Sequence, residues 1–467
     1  QMCIRDSPKS DHVTERVERH ADNFVRLAGF SPQQQAELIR AQGIDILIDL
    51  AGHTGHNGLL AMAHKAAPVQ VTWLGFPATT GLSAVDYKFT DEVTDPPDAQ
   101  DQYTEQLYRL PTLFACYRPM SRNPLWRYQP RYQVRPTPAL ENGFITFGSC
   151  NNLGKLTDEV LGLWGRVLEA VPHSRLLIEG KGMERPDFAN TYRQRCLGLG
   201  LDPARLDLVP LDTNNQYLTY HRIDIALDPF PLTGGTTTFD VLWMGVPIVS
   251  MVGDSFKSRM GVSLLTYLGR TEWLAGSPED YVRIACALAS DTQALHALRQ
   301  GLRAEVETSV LMREDIFNHH FGEGLRVMWL RWLAQAEHPN DAQAQAQALE
   351  SWLPGLPEEW SRPPTPGVGL RPGQRVTLGE AHERLQMLVN KAKESPPPQR
   401  AESVSAATKM ESQHWIAVTE LAEIVLNAVP HDPVALACLA EVEHAHGHTE
   451  FAVTYLRYAT EAMKNLV

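Results

Sequence analysis

The chain has 467 residues, of which 43% are hydrophobic and 21% are charged, and its formal net charge is −13. A chain of this length exceeds what one hydrophobic core supports, so we expect two or three domains of ordinary globular composition. The acidic balance argues against a general nucleic-acid binder and against a protein that binds anionic membranes.

The six cysteines are scattered and form no CxxC pair, so the sequence predicts neither a disulfide framework nor a structural zinc site. This usage is typical of a reducing compartment, and we expect the cytoplasm. There is no apolar run of about 18 residues and no signal peptide, which argues against a membrane protein. Residues 1–7 show neither a helical nor a strand period. We therefore expect that the N-terminal end has been lost.

Between residues 20 and 335, short apolar runs alternate with helical stretches, which predicts an α/β fold with doubly wound parallel sheets. The predicted strands are 44–50, 68–75, 87–91, 144–150, 175–180, 206–211, 223–228 and 247–251. The predicted helices are 158–170, 187–198, 215–222 and 237–245. The proline-rich stretch 119–138 interrupts the alternation and divides the region into two lobes.

The remainder of the chain is predicted to be helical, with linkers. A long helix is expected over 322–336, and the composition then becomes rich in Pro, Gln and Ala. Segment 415–467 resembles one to one and a half tetratricopeptide repeats, which need about three repeats to be stable alone. We therefore expect it to pack on a neighbour or on a protein partner. The predicted domains are 8–125, 139–337, a linker at 338–378, and a helical segment at 379–467.

A glycine- and threonine-rich loop, DPFPLTGGTTTFD at 228–240, follows a predicted strand and opens a predicted helix. Gly234 and Gly235 allow close approach of a ligand, and the threonine hydroxyls are expected to cap the helix. Free N–H groups and the helix dipole would then bind a phosphate. A helix start in which the glycines serve only the turn explains the same pattern. No GK[ST] follows, which excludes a Walker A loop.

Two other loops follow predicted strands, where ligands of such sheets bind. In NNLGKLT at 151–157, Lys155 is suited to a diphosphate and Asn152 to a base or sugar, although a solvated loop lysine is the commoner case. The loop LGFPATTG at 74–81 is by itself only a turn signal. His53 and His56 lack a third ligand nearby, so we interpret them as loop histidines rather than a metal pair.

Residues 20–335 resemble the catalytic region of the O-GlcNAc transferase/SPINDLY family. The similarity is carried in order by DILIDLAGHTGHNG, VTWLGFPATTGLSAVDYKFTD, FGSCNNLGKLTDEVL and IDIALDPFPLTGGTTTFDVLWMGVPIVSM. The resemblance implies a GT-B architecture of two Rossmann-like lobes, the first of them incomplete here. It also implies transfer of a sugar, most simply GlcNAc from UDP-GlcNAc, to Ser or Thr hydroxyls of a protein, without a metal ion or other cofactor.

Individual positions match the family's donor site. The resemblance implies that Lys155 contacts the pyrophosphate as the catalytic cation, with Asn152 beside it. It implies that Thr236 and Thr237 bind phosphate oxygens and that Asp240 holds the ribose. Gly234 and Gly235 belong to the same loop. Leu74, Gly75 and Pro77 match the loop that faces the transferred sugar.

Three departures from the family pattern leave the donor and the activity open. Animal members have histidine where this chain has Gly235, and many members have a histidine near the uracil where this chain has Gln216. Plant relatives of the family transfer fucose from GDP-fucose. The family's first strand and a histidine-bearing loop near the acceptor precede the region matched here. We therefore keep three alternatives: a GDP-fucose donor, a glycan or small-molecule acceptor, and a nucleotide-binding scaffold without turnover.

Overall fold

The computed structural model describes residues 14, 17–19, 21–119, 130–212, 217–353, 368–371, 374–393, 406–429 and 431–464. The chain forms two compact units. The first comprises 1–118, 136–211 and 219–361, and the second comprises 119–135, 212–218 and 362–467. Gln216 and the N-terminal residues 1–7 lie outside the described residues.

The first unit contains ten strands and eleven helices among its described residues. The strands are β1 Ile46–Asp49, β2 Val69–Thr72, β3 Tyr87–Asp91, β4 Gln106–Leu110, β5 Thr146–Ser149, β6 Arg175–Gly180, β7 Leu206–Pro210, β8 Ile225–Leu227, β9 Ile248–Met251 and β10 Leu274–Ala275. The helices are α1 Pro32–Ala41, α2 Leu59–Met62, α3 Ala139–Asn142, α4 Asp158–Ala170, α5 Pro186–Gly198, α6 Thr236–Trp243, α7 Phe256–Leu268, α8 Pro278–Ala289, α9 Thr292–Thr308, α10 Glu314–Glu337 and α11 Ala342–Trp352.

The strands form two separate parallel sheets, which confirms the predicted α/β class. The first sheet has the order β1-β2-β3-β4, and β1 is in register with β2 from Ile46 opposite Val69. Helix α10 packs its buried Phe317 and Met328 against Phe89 and neighbouring apolar side chains of this sheet. The first lobe therefore depends on a helix that follows the second sheet in sequence.

The second sheet has the order β10-β9-β8-β5-β6-β7, and all its pairs are parallel. The chain first moves outward from β5 through β6 to β7, then returns to β8 beside β5 and moves outward in the other direction. Fully buried side chains such as Trp164 and Phe147 form its core. The junction of β5 and β8 is a topological switch point, where open α/β sheets bind their ligands.

Local sequence signals explain the best-predicted helix. Thr157 caps α4 by accepting a hydrogen bond from Val160 N, and Asp158 and Glu159 lie in its first turn. Acidic residues there are favoured by the helix dipole. Two predictions need correction. The predicted helix at 215–222 is a short 3-10 helix over Leu218–Arg222, and the predicted linker at 338–378 contains helix α11.

The second unit is mainly helical where it is described. It contains a two-stranded antiparallel sheet, β11 Val368–Arg371 with β12 Gln374–Val376, and four helices: α12 Leu378–Lys393, α13 Ala406–Ala428, α14 Pro433–Ala445 and α15 Thr449–Lys464. Buried Leu385, Val418, Leu439 and Tyr455 share one apolar core. Among the described helices of the chain, none is both long and apolar enough to span a bilayer. The four domain boundaries and the tetratricopeptide assignment stay predictions.

Candidate active site

Two loops meet at the switch point of the second sheet. One follows β5 and carries Asn151, Asn152 and Lys155, and the other follows β8 and leads into α6. Strands β5 and β8 are direct neighbours, with Phe147 opposite Ile225. Because parallel strands end at the same edge, residues that lie far apart in sequence come together here.

Lys155 joins the two loops. Its Nζ donates a hydrogen bond of 2.8 Å to the carbonyl of Thr233 and one of 3.2 Å to Oδ1 of Asn151. Burial lowers the pKa of Lys155, and the carboxylate of Asp228 opposes that shift. The ammonium is therefore a partly desolvated cation in a fixed position rather than a free surface lysine.

Asp228 fixes the glycine turn by hydrogen bonds to its buried carboxylate. Its carboxylate accepts hydrogen bonds from Gly234 N at 2.7 Å and from Ser250 Oγ at 2.6 Å. Burial raises its pKa to about 6, although these hydrogen bonds and the nearby Lys155 favour the ionised form. A buried carboxylate thus fixes the backbone that leads into α6.

Helix α6 begins at Thr236 with Gly235 at the N-cap, and no side chain caps it. The expectation that a threonine hydroxyl caps this helix is therefore wrong. Thr236 is exposed and Thr237 is half-buried, while Thr238 is fully buried. The helix N-terminus thus presents backbone N–H groups, a positive dipole end and two accessible threonines, and Lys155 contacts the loop that leads into it at Thr233. This combination suits an anionic ligand.

The two glycines of this loop differ in their surroundings. A Cβ on Gly234 would lie 2.3 Å from Thr238 Oγ1 and 3.1 Å from Asp228 Oδ1. A Cβ on Gly235 would meet only Met260 Sδ, at 3.5 Å. Gly234 is therefore required by close packing, whereas the space beside Gly235 is compatible with a side chain.

Asp240 lies one turn into α6 and contacts the end of the first lobe. Its Oδ1 accepts a hydrogen bond of 2.5 Å from the hydroxyl of Tyr117, whose ring stacks on Phe239 at 4.8 Å. Burial raises the pKa of Asp240 to about 7, and the Tyr117 hydrogen bond opposes that rise. This carboxylate is thus held between the lobes near its midpoint of ionisation at neutral pH.

The amide neighbours of Lys155 have different roles. Asn152 is exposed, and its Oδ1 accepts a hydrogen bond from Gly154 N at 2.9 Å, which forms the turn before Lys155. The neighbouring Asn151 is the one whose side chain contacts the lysine ammonium. A ligand contact by Asn152 stays a prediction.

The loop of the first lobe lies at the carboxyl end of β2. Leu74 is 48% exposed and adopts a left-handed conformation with φ of 70°. An exposed leucine in a costly conformation is a mark of functional loops. A Cβ on Gly75 would lie 2.0 Å from the Leu50 carbonyl oxygen, so only glycine fits there. Pro77 follows and is half-buried.

Two side chains of the first lobe contact Phe76 of the same loop. Lys88 on β3 is 1% exposed, and its Nζ donates a hydrogen bond of 3.2 Å to the carbonyl of Phe76. His53 contacts the ring of Phe76 edge to face at 5.1 Å. His53 therefore packs against an aromatic ring, in agreement with its interpretation as a loop histidine.

Comparison with known proteins identifies the family of the chain. The model of the family described as glycosyl transferase family 41 matches residues 2–118 and 131–321. The chain belongs to glycosyl transferase family 41. The matched region includes both sheets and every described loop discussed above.

The chain is also similar to named plant proteins. The chain is 43% identical over 335 residues to the probable UDP-N-acetylglucosamine–peptide N-acetylglucosaminyltransferase SPINDLY of Oryza sativa subsp. japonica, and 40% identical to that of Solanum lycopersicum. Each alignment covers 70% of this chain and 35% of the relative. The chain thus spans about a third of the length of these relatives.

A solved structure supports the fold assignment. A variant of the Thermobaculum terrenum O-GlcNAc transferase is 34% identical with a TM-score of 0.65, and the match covers 72% of this chain and 62% of that one. The GT-B class predicted from sequence is therefore confirmed.

Three residues of the candidate site had no predicted role of their own: Asn151, Tyr117 and Asp228. Asn151 lies within the loop NNLGKLT at 151–157, and Asp228 is the last residue of the predicted strand 223–228. Tyr117 carried no usable signal, because it lies alone before a proline-rich stretch and its contact with Asp240 is 123 residues away in sequence.

Proposed function

We propose that this family 41 chain transfers GlcNAc from UDP-GlcNAc to Ser or Thr hydroxyls of proteins. The observation that carries the proposal is the position of Lys155, bridged to Thr233 at the entrance of α6. A cation and a helix N-terminus that converge at one point are suited to the negative charge of a leaving diphosphate.

In the proposed reaction, Lys155 stabilises the departing diphosphate as the sugar–phosphate bond breaks. The N–H groups of α6 and the hydroxyls of Thr236 and Thr237 bind its oxygens. The turn that contains Gly234 and Gly235 lets the phosphates approach the backbone. Charge stabilisation by these groups requires no metal ion and no other cofactor.

The remaining predicted residues position the rest of the donor. Asp240 accepts hydrogen bonds from the ribose, and Asn152 and Gln216 contribute to recognition of the nucleotide. Leu74, Gly75 and Pro77 form the wall that the transferred sugar faces. These roles follow the match to the family motif, and the exposed, strained Leu74 supports the last of them.

The names of the relatives support a peptide acceptor, since they are peptide N-acetylglucosaminyltransferases. We extend this to protein acceptors for the present chain, with the second unit as a site for a protein partner. A cytoplasmic location agrees with the free thiols of the described cysteines.

The decisive experiment is a calorimetric titration of the purified chain with UDP, UDP-GlcNAc and GDP-fucose. We expect the uridine nucleotides to bind and Lys155→Ala to weaken UDP binding by at least about tenfold, as for the loss of a charge-assisted contact. Lys464→Ala at the exposed end of α15 is the control and should bind as wild type does.

Each outcome has a defined meaning. Binding of GDP-fucose in place of UDP-GlcNAc would replace the proposed donor but retain the site. Binding of UDP without transfer to protein would favour the scaffold alternative. If the folded chain binds no nucleotide, the site assignment is wrong.

A further inference from the structure

A second group of potential ligands lies on helix α10. His319, His320 and Glu323 place one ligand atom each within 4.8 Å of one another. At 100° per residue these three positions occupy an arc of about 100° on the helix. The arc lies away from Phe317, Phe321 and Met328, which face the first sheet.

The two nitrogen-to-carboxylate distances fit metal ligands better than hydrogen bonds. Nε2 of His319 and Nδ1 of His320 each lie 3.4 Å from the same carboxylate oxygen of Glu323. A good N–H···O hydrogen bond is about 2.7–3.2 Å long. The edge between two ligands of a tetrahedral zinc ion is about 3.4 Å, given bonds of about 2.0–2.1 Å.

The three side chains are partly shielded from solvent, with 13%, 27% and 28% of their surfaces exposed in chain order. The two histidine rings lie edge to face at 5.2 Å, and one nitrogen of each lies near the same oxygen of Glu323. Shielding of this degree lowers the competition from water while leaving an entry path for an ion.

We propose that His319, His320 and Glu323 bind a divalent late first-row transition-metal ion, such as Zn²⁺. Two imidazoles and one carboxylate suit this class of cation, and three protein ligands leave one tetrahedral position for water. The site is separate from the proposed donor site and does not depend on the proposed transfer reaction.

The proposed site lies on a helix that also contacts the residue before the Leu74 loop. On its sheet-facing side, α10 stacks Phe317 on Trp73 at 5.4 Å between ring centroids and packs Phe321 against the same ring at a tilt, at 4.7 Å. Trp73 directly precedes the strained Leu74. A bound ion would stabilise the turns of α10 that support this loop.

The test is a calorimetric titration of the metal-stripped full chain with Zn²⁺, together with its thermal unfolding. We expect one Zn²⁺ per chain at this site and a rise in Tm on binding. His320→Gln and Glu323→Gln should each weaken this binding by at least about tenfold and abolish the rise, because each removes a direct ligand. His338→Gln, at the end of the same helix, is the matched control and should match wild type.

Circular dichroism of each variant checks that it is folded. The positions 320, 323 and 338 are not part of the buried core, so the conservative change to glutamine should leave the fold intact. A wild-type chain that is folded and binds no Zn²⁺ would overturn the proposal. So would Zn²⁺ binding that both ligand variants retain at the wild-type affinity, because the ion would then bind elsewhere.

Discussion

The hydroxyl of Tyr117 donates a 2.5 Å hydrogen bond to Asp240 and thereby joins the end of the first lobe to helix α6 of the second. The carboxylate at this junction has a pKa of about 7 because burial disfavours its charged form. The junction is therefore sensitive to pH within the neutral range.

We predict that UDP affinity decreases as the pH falls through about 7, because a protonated Asp240 loses acceptor capacity toward the ribose. Tyr117→Phe removes a hydrogen bond that favours the ionised carboxylate, so it should move the midpoint upward by about one unit. Calorimetric titrations at pH 6 to 9 measure this shift. An identical profile in the variant would show that Asp240 does not control binding.

The packing of Gly234 predicts a contrast between neighbouring glycines. Gly234→Ala should lower the free energy of unfolding by about 1–3 kcal/mol, because its methyl group overlaps Thr238 Oγ1. Gly235→Ala should cost less and is the matched control. Adding Thr238→Ala to Gly234→Ala should recover part of the loss, since it removes the overlapping atom. Denaturant unfolding of the four proteins checks this, and equal losses at both glycines would contradict it.

A buried contact between the lobes gives a prediction about stability. Ser263 on α7 is fully buried and donates a 2.7 Å hydrogen bond to Asp91 of the first sheet. Ser263→Ala should cost about 1.5–3 kcal/mol of unfolding free energy, the usual value for a hydrogen bond to a charged group. Ser290→Ala removes an exposed serine hydroxyl and should cost less than about 0.5 kcal/mol. Urea titration compares the two.

Lys88 and Lys393 provide a comparison of buried and exposed cations. Lys88→Met should destabilise by about 3–5 kcal/mol, because it leaves the Phe76 carbonyl and nearby carboxylates without their buried cation. Lys393 forms a surface ion pair with Glu441 at 2.9 Å, and Lys393→Met should cost less than about 1 kcal/mol. Thermal unfolding measures both. A tolerated Lys88→Met would show that hydrophobic packing compensates for the lost charge.

The sequence predicted the elements whose signals are local. The predicted helix 158–170 has the same bounds as α4, because the Thr157 cap, the acidic first turn and the apolar period all indicate a helix that begins at Asp158. Strands β4 and β10 were missed, since β4 carries polar residues within a five-residue run and β10 has only two residues. Their existence depends on neighbouring strands, which the local sequence does not describe.

The residues of the candidate site likewise fall into those that local sequence predicts and those that it does not. Lys155 and the threonine pair could be selected because each follows a strand and lies in a recognisable motif. The network that positions them could not be selected, since Asp228, Ser250 and Asn151 become partners only when the sheet forms. The lobe contact of Tyr117 depends on how two separately formed sheets meet, and no sequence spacing encodes that distance.

The strand order of the second sheet places the proposed diphosphate site on the two central strands. The groups proposed to hold the diphosphate come from β5 and β8, which are central and adjacent, whereas β6 and β7 lie to one side of them. Insertions after β6 or β7 would lengthen loops at one side of the sheet and leave the adjacent pair β5 and β8 in place. The flanking loops can therefore vary in length without displacing the two strands that carry the proposed diphosphate site.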